Sequence, residues 1–191
     1  KPCGRVFYDF DDTLVKSSKS IVKCVNEEFR LGRTENDITD WGYRSLCSKL
    51  TSSDVERFFE SDTFWNSLEI HENALETLWG YDSHCCTLGT AKNLELKQRF
   101  LENNSLGSDH YMLDTGLGYT MKDKRRINMA GGIQIGDTYK ELAHTNASVK
   151  VLFKSYHDYP WQKVPPNETI YLVDEWLEIA DIIRWCEKLW K

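Results

Sequence analysis

Asp9, Asp11 and Thr13 follow the apolar run Val6-Phe7-Tyr8 at spacing i, i+2, i+4. Clustered carboxylates repel one another unless a positive charge sits between them. A strand that ends in a tight loop lets Asp9 point outward at its C-terminal tip, while the turn brings Asp11 back over the same spot. A hard divalent cation such as Mg²⁺ takes oxygen ligands and keeps several waters, so one or two carboxylates suffice to hold it. A carboxylate placed there is also a potential nucleophile that forms an acyl-phosphate and divides one hard displacement into two easier ones. A calcium-binding EF-hand fits the segment less well, since it needs Gly where Leu14 stands and Glu where Ser20 stands. A solvated acidic turn has no need of the apolar run before it, and a phospho-accepting receiver domain normally carries its acceptor in a strand well inside the chain.

Three further segments carry chemistry. Cys85-Cys86-Thr87-Leu88-Gly89-Thr90 is an apolar strand that ends in a hydroxyl, a glycine-containing turn and a helix start. Hydroxyls and free N–H groups at such a start form a phosphate cradle, although Thr90 is equally suited to a plain helix cap. Lys122-Asp123-Lys124-Arg125-Arg126 is the one basic cluster. A lysine from it can neutralise a phosphoryl group and keep a neighbouring carboxylate ionised, with one or two of the four cations facing the site. Ile133-Gln134-Ile135-Gly136-Asp137-Thr138 is a buried strand ending in Gly-Asp, where glycine lets the chain turn and Asp137 reach a metal. Glu141 adds a second carboxylate four residues on, and Asp137 as a simple helix cap is the competing role. His71, His84, His110, His144 and His157 form no ligand spacing.

The elements that must position these groups alternate. Apolar runs at Arg5–Phe10, His84–Thr87, His110–Leu113, Gly132–Gly136, Val149–Phe153 and Thr169–Val173 read as strands. Helical patterns at Glu72–Tyr81, Ala91–Asn103, Tyr139–Asn146 and Glu175–Trp190 lie between most of them. Such alternation specifies an α/β fold with a mainly parallel sheet, whose ligands bind beyond the C-terminal strand ends. Asp9, Thr87 and Asp137 all fall at or just past such ends. The alternation breaks between Val15 and Ile70, where helices are expected at Ser17–Arg30, Asp40–Leu50 and Ser53–Glu60, capped by Thr39 or Asp40 and by Ser52 or Ser53. This is a helical module inserted after the first strand.

Composition narrows the functions. With 191 residues, 40% hydrophobic and 13% aromatic, the chain can bury a real core. A net charge of −6 argues against a general nucleic-acid binder. No apolar run approaches the roughly 18 residues of a spanning helix, and no signal-peptide pattern opens the sequence. The six cysteines (Cys3, Cys24, Cys47, Cys85, Cys86, Cys186) show no C-x-x-C pair, which disfavours zinc and makes a reducing cytoplasm the expected compartment.

In the order Asp9-Phe-Asp11-Asp-Thr13, Thr87, Lys124, Gly136-Asp137, the chain resembles the haloacid-dehalogenase-like (HAD) phosphohydrolases over its full length. More narrowly, Ile38-Thr39-Asp40-Trp41, Phe64-Trp65-Asn66-Ser67-Leu68, Cys86-Thr87, Asp123-Lys124 and Val151-Leu152-Phe153 followed by His157 resemble the 5′(3′)-deoxyribonucleotidase branch. The resemblance implies a Rossmann-like core (residues 1–15 and 71–191) and a helical C1 cap (16–70). It implies Asp9 as nucleophile, Asp11 as general acid/base, Mg²⁺ on Asp9, the Asp11 backbone carbonyl and Asp137, and phosphoryl oxygens on Thr87 and Lys124. Lys122 rivals Lys124, and Glu141 stands where many relatives offer a second Asp. The expected activity is a Mg²⁺-dependent phosphomonoesterase acting on a small phosphate ester, a nucleoside or deoxynucleoside monophosphate. Trp41, Phe64 and Trp65 of the cap are candidates to stack on the base or, equally, to pack the cap. Two alternatives are a phosphatase for nucleic-acid ends, with Lys122, Arg125 and Arg126 along the strand, and a non-catalytic binding module on the same fold.

Overall fold

The computed structural model describes residues 4–189; Cys3 and Trp190 lie outside the described residues. Six strands form one sheet in the order β3-β2-β1-β4-β5-β6, each parallel to its neighbours. They are β1 (Arg5–Tyr8), β2 (Asp82–Gly89), β3 (Tyr111–Asp114), β4 (Ile133–Gly136), β5 (Val149–Phe153) and β6 (Tyr171–Val173). β1 is central, and Val6, Phe7 and Tyr8 are buried because helices cover both faces of the sheet. The sheet-flanking helices are α4 (Ala74–Trp79), α5 (Ala91–Asn103), α6 (Tyr139–Leu142) and α7 (Trp176–Leu189), and the inserted segment holds α1 (Ser17–Phe29), α2 (Ser52–Phe59) and α3 (Asp62–Ser67). This Rossmann-like order puts the C-terminal ends of β1, β2 and β4 side by side, where Asp9, Thr87 and Asp137 were expected. Among the described residues no helix is long and apolar enough to cross a membrane.

The loop after β1 is held from both sides. The Trp176 indole N–H donates to the Thr13 carbonyl at 2.9 Å, a buried bond between residues 163 positions apart. Where the chain enters and leaves the helical insert its two passes run together: the Lys16 N–H donates to Glu69 (2.8 Å) and the His71 N–H to Leu14 (2.9 Å). The insert gathers its own apolar cluster around Ile21, Val25, Leu46, Phe58 and Phe64. Tyr159, from the loop after β5, joins that cluster and donates its hydroxyl to the Glu35 carbonyl at 3.3 Å, tying core to insert.

Several elements differ from expectation. The helix expected over 40–50 is instead a turn with a short 3₁₀ segment at Arg44–Leu46. The Asp40 carboxylate accepts from the N–H groups of Arg44 (3.0 Å) and Ser45 (2.7 Å), and Tyr43 adopts a left-handed φ of 62°. A short acidic side chain that captures local N–H groups offers the backbone an alternative to helix, and here it wins. α2 is capped by Thr51, not by Ser52 or Ser53: the Thr51 hydroxyl accepts from the Asp54 N–H (3.1 Å) and Asp54 accepts from the Thr51 N–H (2.9 Å). α3 has no counterpart among the expected helices, and α6 stops at Leu142, two residues before His144 turns left-handed at φ 65°. β2 runs on to Gly89, so Thr87 lies within the strand.

Candidate active site

At the tips of β1 and β4 three buried carboxylates meet. One oxygen each from Asp9, Asp137 and Glu141 can be chosen so that all lie within 4.8 Å of one another. The Lys124 ammonium, 3% exposed, sits among them at 3.0 Å from Asp9 Oδ1 and 3.3 Å from Glu141 Oε2. The Phe10 N–H also donates to Asp9 Oδ1 at 2.9 Å, which orients the carboxylate at the strand tip. The 3₁₀ helix Met121–Arg126 carries Lys124 inward and leaves Lys122, Arg125 and Arg126 exposed, so Lys124 and not Lys122 lies among the carboxylates.

Gly136 has a different purpose from the one its sequence context implies. A Cβ there would lie 1.4 Å from Glu141 Oε1, so the missing side chain is what lets the Glu141 carboxylate pack against β4. Thr138 rather than Asp137 caps α6, its hydroxyl accepting from the Glu141 N–H at 3.4 Å, which leaves the Asp137 carboxylate available to a ligand.

One ammonium does not balance three carboxylates. Burial pushes Asp137 well above the ordinary carboxylate range, and the charges of Glu141, Asp12 and Asp9 push it further. Glu141 is raised in the same way, by burial and then by Asp9. Burial alone would depress Lys124, but Asp9 and Glu141 outweigh it and hold the ammonium above its usual value. Glu141 Oε1 is buried with no hydrogen-bond partner among the described residues. An all-oxygen donor set with excess negative charge and an orphaned buried oxygen fits a hard divalent cation.

That excess charge fixes a pH dependence. A carboxyl that holds its proton more tightly in the folded chain than in the unfolded one contributes stability only while protonated. The contribution is lost as pH rises from the unfolded value of about 4 through the folded one. Asp12, raised to about 7 chiefly by burial, acts in the same direction as Asp137 and Glu141. His71, depressed to about 4 by burial, acts oppositely, but only below its unfolded value of about 6.5. The metal-free protein should therefore lose thermal stability between about pH 6.5 and pH 8. Saturating Mg²⁺ should reduce that slope to the share owed to Asp12 and raise Tm by roughly 5–10 °C, taking about 2.7 kcal/mol at a hundred times Kd and about 2–4 °C per kcal/mol for a chain of this size. Asp137→Ala should flatten both responses. A Tm indifferent to pH in this window and to Mg²⁺ would contradict a cation site.

A cavity of about 310 Å³ opens from this cluster toward the insert. Asp9, Asp11, Lys124, Asp137 and Glu141 form its charged floor, and Trp41, Tyr43, Val55, Phe59, Leu88 and Met121 form mostly apolar walls. Of the expected aromatics, Trp41 lines the cavity and is 57% exposed. Phe64 and Trp65 do not line it and take the packing role, the second of the two open to them. Phe64 is fully buried in the insert's apolar cluster, and Trp65 packs between Phe10 and Phe100 with its indole N–H on the Phe59 carbonyl at 2.9 Å. Both are packing residues, and Tyr43 and Phe59 take the wall positions that sequence reasoning missed. Thr87 is fully buried and its hydroxyl accepts from Lys97 at 2.8 Å, while Thr90, the cap of α5, faces the cavity.

No family model and no curated protein matches the sequence, whereas the fold has clear counterparts among solved structures. The haloacid-dehalogenase-like hydrolase SP0104 of Streptococcus pneumoniae superposes with a TM-score of 0.65 at 14% identity, over 95% of this chain and 98% of that one. A HAD-family hydrolase of Deinococcus radiodurans, solved with bound phosphate and sodium, gives 0.62 at 15% identity over 97% of both chains. YfnB of Bacillus subtilis, assigned to the HAD hydrolases and solved with magnesium, gives 0.62 at 13% identity over 96% and 99%. The chain has the Rossmann-like fold of the HAD hydrolases, as its motifs led us to expect.

Proposed function

We propose that this protein is a Mg²⁺-dependent phosphomonoesterase that works through a phospho-aspartate on Asp9. Its substrate in this reading is a small soluble phosphate ester, a nucleoside or deoxynucleoside monophosphate, in a cytoplasmic setting. The observation that carries the reading is the buried trio Asp9, Asp137 and Glu141 around Lys124 on the floor of a cavity with apolar, partly aromatic walls. Fold and motif order agree with it.

Asp9, Asp137 and the Asp11 backbone carbonyl would hold the cation, with Glu141 in support. When bound, the cation neutralises charge on the carboxylates and on phosphoryl oxygens. Asp9 attacks phosphorus, so that a P–O bond to Asp9 forms as the bond to the leaving oxygen breaks. Asp11 gives that oxygen a proton, later takes one from the water that attacks the acyl-phosphate, and so restores Asp9 and releases phosphate. Lys124, already against Asp9, reaches the phosphoryl oxygens, joined by the backbone N–H groups that follow β2. Asp11 and Lys124 both line the cavity, as these roles require. Lys122, Arg125 and Arg126 do not line it, which favours a small dianion over a nucleic-acid end.

The wall residues give the test. Stacking a base on an aromatic side chain contributes about 1–3 kcal/mol, so Trp41→Ala should lower kcat/KM for nucleoside monophosphates by roughly 10-fold. Glycerol phosphate, which has no ring, should be turned over as before. Phe64→Ala should instead lower Tm, by about 3–5 kcal/mol of stability, with parallel effects on both esters. Equal losses on both esters for Trp41→Ala would remove the nucleotide from the reading and leave the phosphatase.

A further inference from the structure

Lys97 is 1% exposed and lies on α5, yet no step of the proposed reaction uses it. An ammonium so deeply buried survives only if its charge is compensated and its donors are used. Both conditions hold: Nζ donates to Asp11 Oδ2 at 2.6 Å, to Thr87 Oγ1 at 2.8 Å and to the Leu88 carbonyl at 2.7 Å. Its charge also sits 5.2 Å from the centre of the Phe10 ring. The other Asp11 oxygen, Oδ1, accepts from the buried Ser17 hydroxyl at 2.6 Å.

We propose that Lys97 is a positioning residue for Asp11, fixing its carboxylate against the C-terminal end of β2 and so setting where the proton is delivered and taken up. The proposal rests on the reading of Asp11 as the general acid/base. A carboxylate on a loop has free side-chain torsions, and a proton-transfer group must lie within about 2.6–3.2 Å of its target. Lys97 and Ser17 grip one oxygen each, which holds the carboxylate in one orientation beside the cavity that Asp11 lines. The Thr87 hydroxyl and the Leu88 carbonyl fix the ammonium in turn, so the acid/base is registered on the sheet rather than on its own loop. Thr87 therefore serves the site through Lys97.

The test compares Lys97→Met and Lys97→Gln with Asp11→Asn, on glycerol phosphate, whose leaving oxygen needs a proton, and on p-nitrophenyl phosphate, whose leaving group does not. Lys97→Met should lower kcat on glycerol phosphate by about 10²-fold, with KM little changed and a much smaller loss on p-nitrophenyl phosphate. Lys97→Gln keeps a donor in place and should show the same selectivity at smaller size, and it carries the test if Lys97→Met fails to fold. Added to Asp11→Asn, either substitution should cost almost nothing further, because the pair acts as a unit. Equal losses on both esters, or losses that add fully to those of Asp11→Asn, would overturn the proposal and leave Lys97 a structural ion-pair partner. Failure of the acid/base reading would show separately, as a substrate-independent loss in Asp11→Asn with Lys97 intact.

Discussion

Asp9→Asn is expected to leave a folded protein that turns over no phosphate ester above background. The amide keeps the shape of the carboxylate and can still accept from the Phe10 N–H, as Asp9 Oδ1 does at 2.9 Å. It cannot attack phosphorus. Losing a nucleophile costs on the order of 10⁶-fold where it has been measured in another hydrolase. The substitution also removes one of three crowded negative charges, so the metal-free variant should melt no lower than the parent. A folded Asp9→Asn protein with substantial residual turnover would remove covalent catalysis from the mechanism.

The second large effect belongs to Asp11. Asp11→Asn should reduce turnover by roughly 10²–10⁴-fold, the usual contribution of a positioned proton-transfer group. Alkyl phosphates should suffer far more than p-nitrophenyl phosphate, because an aryl leaving group departs without a proton. The affinity for Mg²⁺ should stay near the parent value, since in the proposed mechanism it is the Asp11 backbone carbonyl, kept by the variant, that would meet the cation. Equal losses on both ester types, with weakened metal dependence, would make Asp11 a metal-supporting residue.

Much of this arrangement was legible in the sequence because strand and helix periods differ and the candidate site's carboxylates Asp9 and Asp137 sit at strand ends. Asp9 and Asp137 follow apolar runs that became β1 and β4, and their neighbourhood in space follows from parallel strands packing side by side. What escaped has local or three-dimensional causes. The turn at Asp40–Tyr43 won over helical patterning because one carboxylate captured two N–H groups. Phe64 and Trp65 flank each other in sequence like exposed platforms, but amphipathic burial on the six-residue α3 turned both toward apolar neighbours. Gly136 looked like a turn residue, and only the fold shows the Glu141 carboxylate in the space its side chain would fill. Lys97 left one readable trace: it lies three residues after Leu94 and four before Leu101, on the buried stripe of α5, where a lysine needs a partner. The identity of that partner, Asp11, 86 residues away, is a tertiary fact.

Covalent transfer of the phosphoryl group to Asp9 is the step on which the mechanism stands, and acid quenching can trap it. The Asp11→Asn protein, mixed with Mg²⁺ and excess p-nitrophenyl phosphate, is stopped in acid during turnover, digested and analysed by mass spectrometry. The expected result is one phosphoryl group on the peptide carrying Asp9, removed by hydroxylamine and absent when Asp9→Asn is introduced as well. Phosphorylation of any other residue, or release of p-nitrophenol with no labelled peptide at any quench time, would contradict it.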